Sequence, residues 1–88
     1  MKVKNMEGRS GRPVPNQIEI KDGTRRIFQN YDSTIAITEG GKVILDRNKW
    51  DYSRTTCRYL AQFLGSPMAE IRKKIHSGEI SFADLNRE

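Results

Sequence analysis

Two stretches constrain this chain more than any others. In "QIEIKDGTRRIFQ" (17–29) and "STIAITEGGKVILD" (33–46), apolar residues alternate with polar ones around a glycine-bearing turn. A period of two sends successive side chains to opposite faces of a strand. A turn between two such runs makes an antiparallel hairpin. In the first, Asp22-Gly23 reads as a two-residue loop, because a type I′ turn needs positive φ at both central positions. That register sets Ile18 opposite Ile27 and Glu19 opposite Arg26, an apolar pair on one face and an ion pair on the other. In the second, a Gly40-Gly41 loop sets Ile37 against Ile44 but Ile35 against Asp46. A three-residue loop of Glu39, Gly40 and Gly41 sets Ile37 against Val43 and Ile35 against Leu45. It is preferred because all four apolar residues then share one face, with Gly41 left-handed. Between the hairpins, "QNYDS" (29–33) reads as either a turn or a bulged continuation of one long strand.

Helical signals follow. In "WDYSRTTCRYLAQFLG" (50–65), Ser53 is an N-cap candidate, and Thr56, Leu60, Phe63 and Leu64 fall on one side, with Tyr59 beside them. Trp50 and Tyr52 read as anchors of the corner that leads into the helix. Gly65 ends it. Ser66 and Pro67 read as N-cap and first residue of a second helix with an apolar stripe of Met68, Ile71 and Ile75, stopped by Gly78. In "SFADLNRE" (81–88), Ser81 with Asp84 three residues on suggests a short third helix. The fold class expected is α+β: an antiparallel β-meander of three to four strands, then two helices and a short C-terminal helix, with the helices on one sheet face.

The first sixteen residues, "MKVKNMEGRSGRPVPN", follow no period. Pro13 and Pro15 push Arg12 and Val14 towards extended geometry. The segment reads as a flexible basic strap, residues 1–16, ahead of a single small domain, residues 17–88. Lys2, Lys4, Arg9 and Arg12 against Glu7 leave +3 of the total +5 in this segment. With 88 residues there is room for one domain only. An isoelectric point near 9.7 favours polyanions or acidic protein surfaces as partners. No apolar run approaches the length of a membrane span, and no apolar segment follows Lys2 and Lys4, so neither a membrane nor a signal peptide is expected.

Few residues suggest chemistry. Cys57 and His76 are the single thiol and imidazole, on different expected helices, with no residue placed to orient them. Cys57 reads as core. No Cys/His pair has metal-ligand spacing, and Asp46 with Asp51 is the nearest carboxylate pair. "GRSG" and "EGGK" do not match a phosphate loop. The expectation is a protein with no enzymatic activity and no cofactor.

The segments "GRSGRPVPNQ", "RRIFQNYDSTIA", "GKVILDRNKWDYSRTT" and "RYLAQFLG", in that order, resemble a family of small uncharacterised bacteriophage proteins, a domain of unknown function. The resemblance runs from about residue 8 to about residue 78. Cys57 and Ala61 depart from the pattern, where polar or small residues are more usual, which further weakens a catalytic role for Cys57. The resemblance implies a phage or prophage origin and expression in the cytoplasm of a bacterial host, and it implies no activity or catalytic residue.

Three functional readings follow. The leading one is a non-enzymatic binding protein acting on a host protein or nucleoprotein, in an accessory, inhibitory or regulatory role. Its candidate surface is Asn16, Gln17, Gln29, Asn30, Tyr31 and Asp32, polar residues that core packing explains poorly, joined by Arg9 and Arg12. The second is direct DNA or RNA binding through Arg54 and Arg58, four apart on one helix face, with Arg25 and Arg26 on a strand and the basic tail. The third is a minor self-assembling component, a monomer or a homodimer joined by strand pairing at an exposed sheet edge.

Overall fold

The computed structural model describes residues 1–86. Eight elements follow in order: β1 (Lys2–Glu7), β2 (Pro13–Asp22), β3 (Arg25–Asn30), β4 (Ser33–Glu39), β5 (Lys42–Asp46), α1 (Arg54–Leu64), α2 (Met68–Ser77) and β6 (Ile80–Ala83). All six strands form one sheet in chain order. Neighbours are antiparallel except β5 and β6, which are parallel. A parallel pair needs a crossover connection, and here α1 and α2 supply it. The α+β class expected from the sequence is met, with more strands and one fewer helix.

The segment read as a strap is a strand. Its extended geometry is as expected, but Lys2–Asn5 pair with Ile18–Lys21, and Met6 is buried in the core. The polar sequence hid this. An edge strand is held chiefly by backbone hydrogen bonds, so it needs only one apolar anchor to dock.

The expected C-terminal helix is also a strand. Residues 80–83 form β6, which sets Ile80 beside Val43 and Phe82 beside Leu45. Ile80 is buried there. Burial of an alternating Ile-x-Phe pair on a sheet edge outweighs a local capping pattern. Arg87 and Glu88, the end of that expected helix, lie outside the described residues.

Both hairpin registers differ from expectation. The first loop is Gly23-Thr24, closed by Asp22 opposite Arg25, with Gly23 at φ 63 in the first central position. This is the type II′ pattern. Ile20 now faces Ile27, and Glu19 faces Phe28 on the opposite face of the sheet. The Glu19–Arg26 ion pair survives diagonally, Oε2 to Nε at 3.1 Å. The second loop is the two-residue Gly40-Gly41, with φ 58 and 81, the type I′ pattern. It places Ile37 opposite Ile44 on one face and Ala36 opposite Leu45 on the other. A one-faced apolar pair was therefore the wrong criterion, because both faces here carry apolar residues. A bulge in β4, opposite the Phe28–Gln29 step of β3, leaves Ile35 without a direct partner, and Ile35 and Ala36 both enter the core. The "QNYDS" stretch is thus a tight turn with a bulge beside it.

The helices cover the face that carries Phe28, Ala36, Leu45 and Ile80, and Tyr59, Leu60, Phe63 and Ile71 descend onto it. Ser53 caps α1 as expected: its hydroxyl accepts from the Thr56 backbone N–H at 3.0 Å. Gly65 ends the helix in the left-handed region. At α2 the cap position is Pro67, one residue later than expected, with no side-chain capping bond. Phe28 and Phe63 meet near the centre with ring centroids 5.7 Å apart. Replacing Phe28 by Ala is expected to lower unfolding free energy by about 3–5 kcal/mol, and Ser53→Ala by about 1 kcal/mol. Urea unfolding of both variants checks this ordering.

Candidate functional site

The site is built where the end of β3 meets the start of α1. Thr56, fully buried in the first turn of α1, accepts a 2.7 Å hydrogen bond at Oγ1 from Asn30 Nδ2. The Ser53 and Thr56 hydroxyl oxygens lie 2.9 Å apart. Asn30 therefore ties the last residue of β3 to the helix cap. Gln17 is its cross-strand neighbour on β2, and both are 2% exposed. These two amides, expected on a partner-binding surface, are structural. The single-residue signal that misled is polarity itself: Thr56 holds the Asn30 Nδ2 group, while Gln17 Oε1 and Asn30 Oδ1 are buried with no hydrogen-bond partner among the described residues.

Beyond Asn30 the chain turns through Tyr31 and Asp32, both exposed. Tyr31 has φ 56 and Asn16 has φ 68, and the Tyr31 N–H donates to the Asn16 carbonyl at 2.8 Å. Two non-glycine residues thus hold left-handed backbone side by side. Such geometry costs about 1–2 kcal/mol per residue and concentrates at functional sites. Tyr31 is 60% exposed. Tyr52, next to the Ser53 cap, is 59% exposed. It was expected to anchor the corner, whereas Trp50 alone does so, against Phe82 and under the Arg72 guanidinium. Two exposed phenols therefore flank the Asn30–Ser53–Thr56 knot. Gln29 is half-buried on the opposite face of the sheet, away from this cluster.

The loop of residues 8–12 folds on itself, with Gly8 N–H donating to the Arg12 carbonyl at 2.9 Å. It docks on α1 through Gln62, whose Nε2 donates to the Glu7 carbonyl at 2.8 Å and whose Oε1 accepts from the Glu7 N–H at 3.3 Å. A Cβ on Gly8 would stand 3.7 Å from the Tyr59 hydroxyl. The Arg58 guanidinium lies 5.5 Å from the centre of the same Tyr59 ring. The loop bearing exposed Arg9 and Arg12 thus abuts the ring that Arg58 covers. Arg54 stands one turn earlier on α1, also exposed.

The four arginines proposed for nucleic acid do not share one surface. Arg26 is committed to structure: it pairs with Glu19, donates to the Phe63 carbonyl at 3.0 Å and stacks on the Phe63 ring at 4.6 Å. Arg25 lies at the hairpin end of β3, five residues from Asn30, opposite Glu39. Arg54 and Arg58 remain together on α1, and the loop that bears Arg9 and Arg12 meets the Tyr59 ring next to Arg58.

Other reactive groups are embedded in structure. Asp46, buried at the end of β5, accepts backbone N–H bonds from Asn48, Lys49 and Leu85 at 3.2, 2.9 and 2.9 Å. Burial pushes the Cys57 thiol above its usual range, the Asp51 carboxylate adds to the rise, and Arg72 opposes it. The thiol is therefore neutral at pH 7, and thiolate appears only at higher pH. Alkylation of Cys57 by iodoacetamide is expected to show a midpoint above that of a free cysteine. A midpoint near neutrality, read from rate against pH, would contradict this.

No curated protein and no solved structure matches the chain. One family model does match, over residues 1–80, which is nearly the whole sequence and takes in β1 to the start of β6. The chain therefore belongs to DUF8033, a family of unknown function.

Proposed function

We propose that this is a non-enzymatic binding protein that engages a protein or nucleoprotein through the end of the sheet where Tyr31, Asp32 and Asn16 meet the start of α1. Tyr52 and the Arg9–Arg12 loop extend that surface. The observation that carries the reading is Tyr31. An aromatic ring gains stability by burial, yet Tyr31 is mostly exposed and sits on left-handed backbone. Folding alone gives no return for that arrangement. Exposed tyrosines and arginines are the side chains that anchor protein interfaces. The likeness to small phage proteins supports a setting inside a bacterial host, where a chain of this size acts by binding one host macromolecule.

Tyr31→Gly separates binding from stability. It relieves the backbone and removes the anchor. Its unfolding free energy is expected to stay level or rise by up to about 1 kcal/mol. Tyr31→Ala with Asp32→Ala is expected to abolish capture of the host partner by the immobilised protein, read by mass spectrometry of the captured fraction. Unchanged capture would remove this surface from consideration.

A second reading rests on a separate observation. Arg9, Arg12, Arg54 and Arg58 are exposed and make no ion pair with any described carboxylate, two on α1 and two on the loop that meets it at Tyr59. Direct nucleic-acid binding through them gives a log–log salt slope of about −3 to −4, near 0.9 per phosphate neutralised. Arg54→Ala with Arg58→Ala then lowers that slope by about 2. A salt-insensitive complex, or no binding to duplex or single strands at low salt, would leave the protein-partner reading.

A further inference from the structure

The sheet face away from the helices carries a pattern that the partner surface does not use. Val3, Ile20, Ile27, Ile37 and Ile44 are directly opposite one another across β1 to β5. They form one continuous β-branched row. The same strands send Phe28, Ala36 and Leu45 to the helix side, so this row points the other way. Val3 is 61% exposed, and the four isoleucines are only partly buried. Leu85 adds an apolar side chain beside this row. With Arg25, Ile37, Glu39, Lys42 and Ile44 it lines a shallow depression of about 500 Å³. A solvated face of an antiparallel sheet ordinarily carries polar residues. A contiguous apolar row marks an interaction surface.

The neighbouring row identifies the occupant. Asp22, Arg25, Glu39 and Lys42 are also directly opposite one another, on β2 to β5. Their signs run minus, plus, minus, plus. Reversing that order changes the sign at every position. A two-fold axis parallel to the strands, between β3 and β4, performs this reversal. It sets Asp22 against Lys42 of a second copy, and Arg25 against Glu39 of that copy. The same axis sets Ile20 against Ile44 and Ile27 against Ile37. Ile20 and Ile27 of one copy then enter the depression beside Leu85 of the other. A surface complementary to itself under rotation is what an isologous dimer requires.

We infer that the uncovered face is the interface of a two-fold homodimer, two sheets packed face to face. The occupant is a second copy of this chain. Such sheets pack about 10 Å apart with strands rotated by about 30°. The isoleucine row supplies burial, and the partly solvated charge row fixes orientation more than affinity. Edge pairing is disfavoured, because the two free edges are β1, with exposed Lys2 and Lys4, and β6, only four residues long. The inference does not rest on the partner-binding reading, which concerns the turn at Tyr31 and α1.

The test is the mass of the full chain by sedimentation equilibrium, from about 1 μM to about 500 μM, a range covering modest affinities. The expected mass is twice the 10.1 kDa of one chain. Ile27→Lys buries an unpaired ammonium in each half and is expected to raise the dissociation constant by at least about 100-fold. Arg25→Glu sets a carboxylate against Glu39 and is expected to raise it by about 10-fold. Adding Glu39→Arg is expected to restore the dimer, because the row remains complementary on reversal. Circular dichroism establishes that each variant folds, and the charge-swap pair decides the matter if Ile27→Lys does not. A monomer throughout the range overturns the inference. So does a dimer insensitive to both sets of substitutions, which would be joined elsewhere.

Discussion

Everything else in this molecule depends on how α1 lies along β3. The two run in opposite directions and are joined at three levels. At one end Asn30 donates to Thr56. In the middle Phe28 packs on Phe63. At the other end Arg26 reaches the Phe63 carbonyl while pairing with Glu19. The apolar contact supplies the stabilisation, since two large rings leave water together. The polar contacts set direction and rotation. An amide or guanidinium buried without its partner costs more than its bond contributes, so alternative placements of the helix are penalised. This one alignment orients the crossover that delivers β6 beside β5. It also fixes which sheet face is covered.

Two surfaces of different character follow from that choice. The turn at Tyr31 is held in strained geometry by the Asn30 anchor behind it and by the Asn16 carbonyl beside it. It presents an aromatic that folding does not use. The docked 8–12 loop brings basic residues to the same helix. The uncovered face is different: apolar along one row and alternating in charge along the next. The first suits recognition of an unlike partner, and the second suits recognition of itself. Both can operate at once, because the face and the turn are separate regions of the surface. A dimer would then present two copies of the Tyr31 turn.

Some of this was legible residue by residue. Ser53 and Gly65 are local signals, acting within one helical turn, and both helix ends behaved as read. Glycine pairs and alternating isoleucines gave away the hairpins for the same reason. Registers were another matter. Shortening the second loop by one residue costs little locally, yet it decides whether Val43 and Leu45 share a face with Ile37 or with Ala36. Gln17 and Asn30 read as surface because most amides are exposed. Asn30 is held by its bond to Thr56, far along the chain, whereas Gln17 Oε1 and Asn30 Oδ1 are buried without a hydrogen-bond partner among the described residues. Tyr31 stood out from the sequence as an aromatic in a polar stretch, although its left-handed backbone did not.

The sequence by itself determined the element types over most of the chain, both ends of α1 and the end of α2, the positive charge and the presence of two tight turns. Each depends on residues within a few positions of one another. The tertiary structure decided the registers, the conversion of the N-terminal and C-terminal segments into edge strands, the dispersal of the four arginines and the two-sidedness of the sheet. These depend on which distant residues compete for one buried face. That competition is settled by the total area removed from water and the polar groups left satisfied, quantities that no short window of sequence contains.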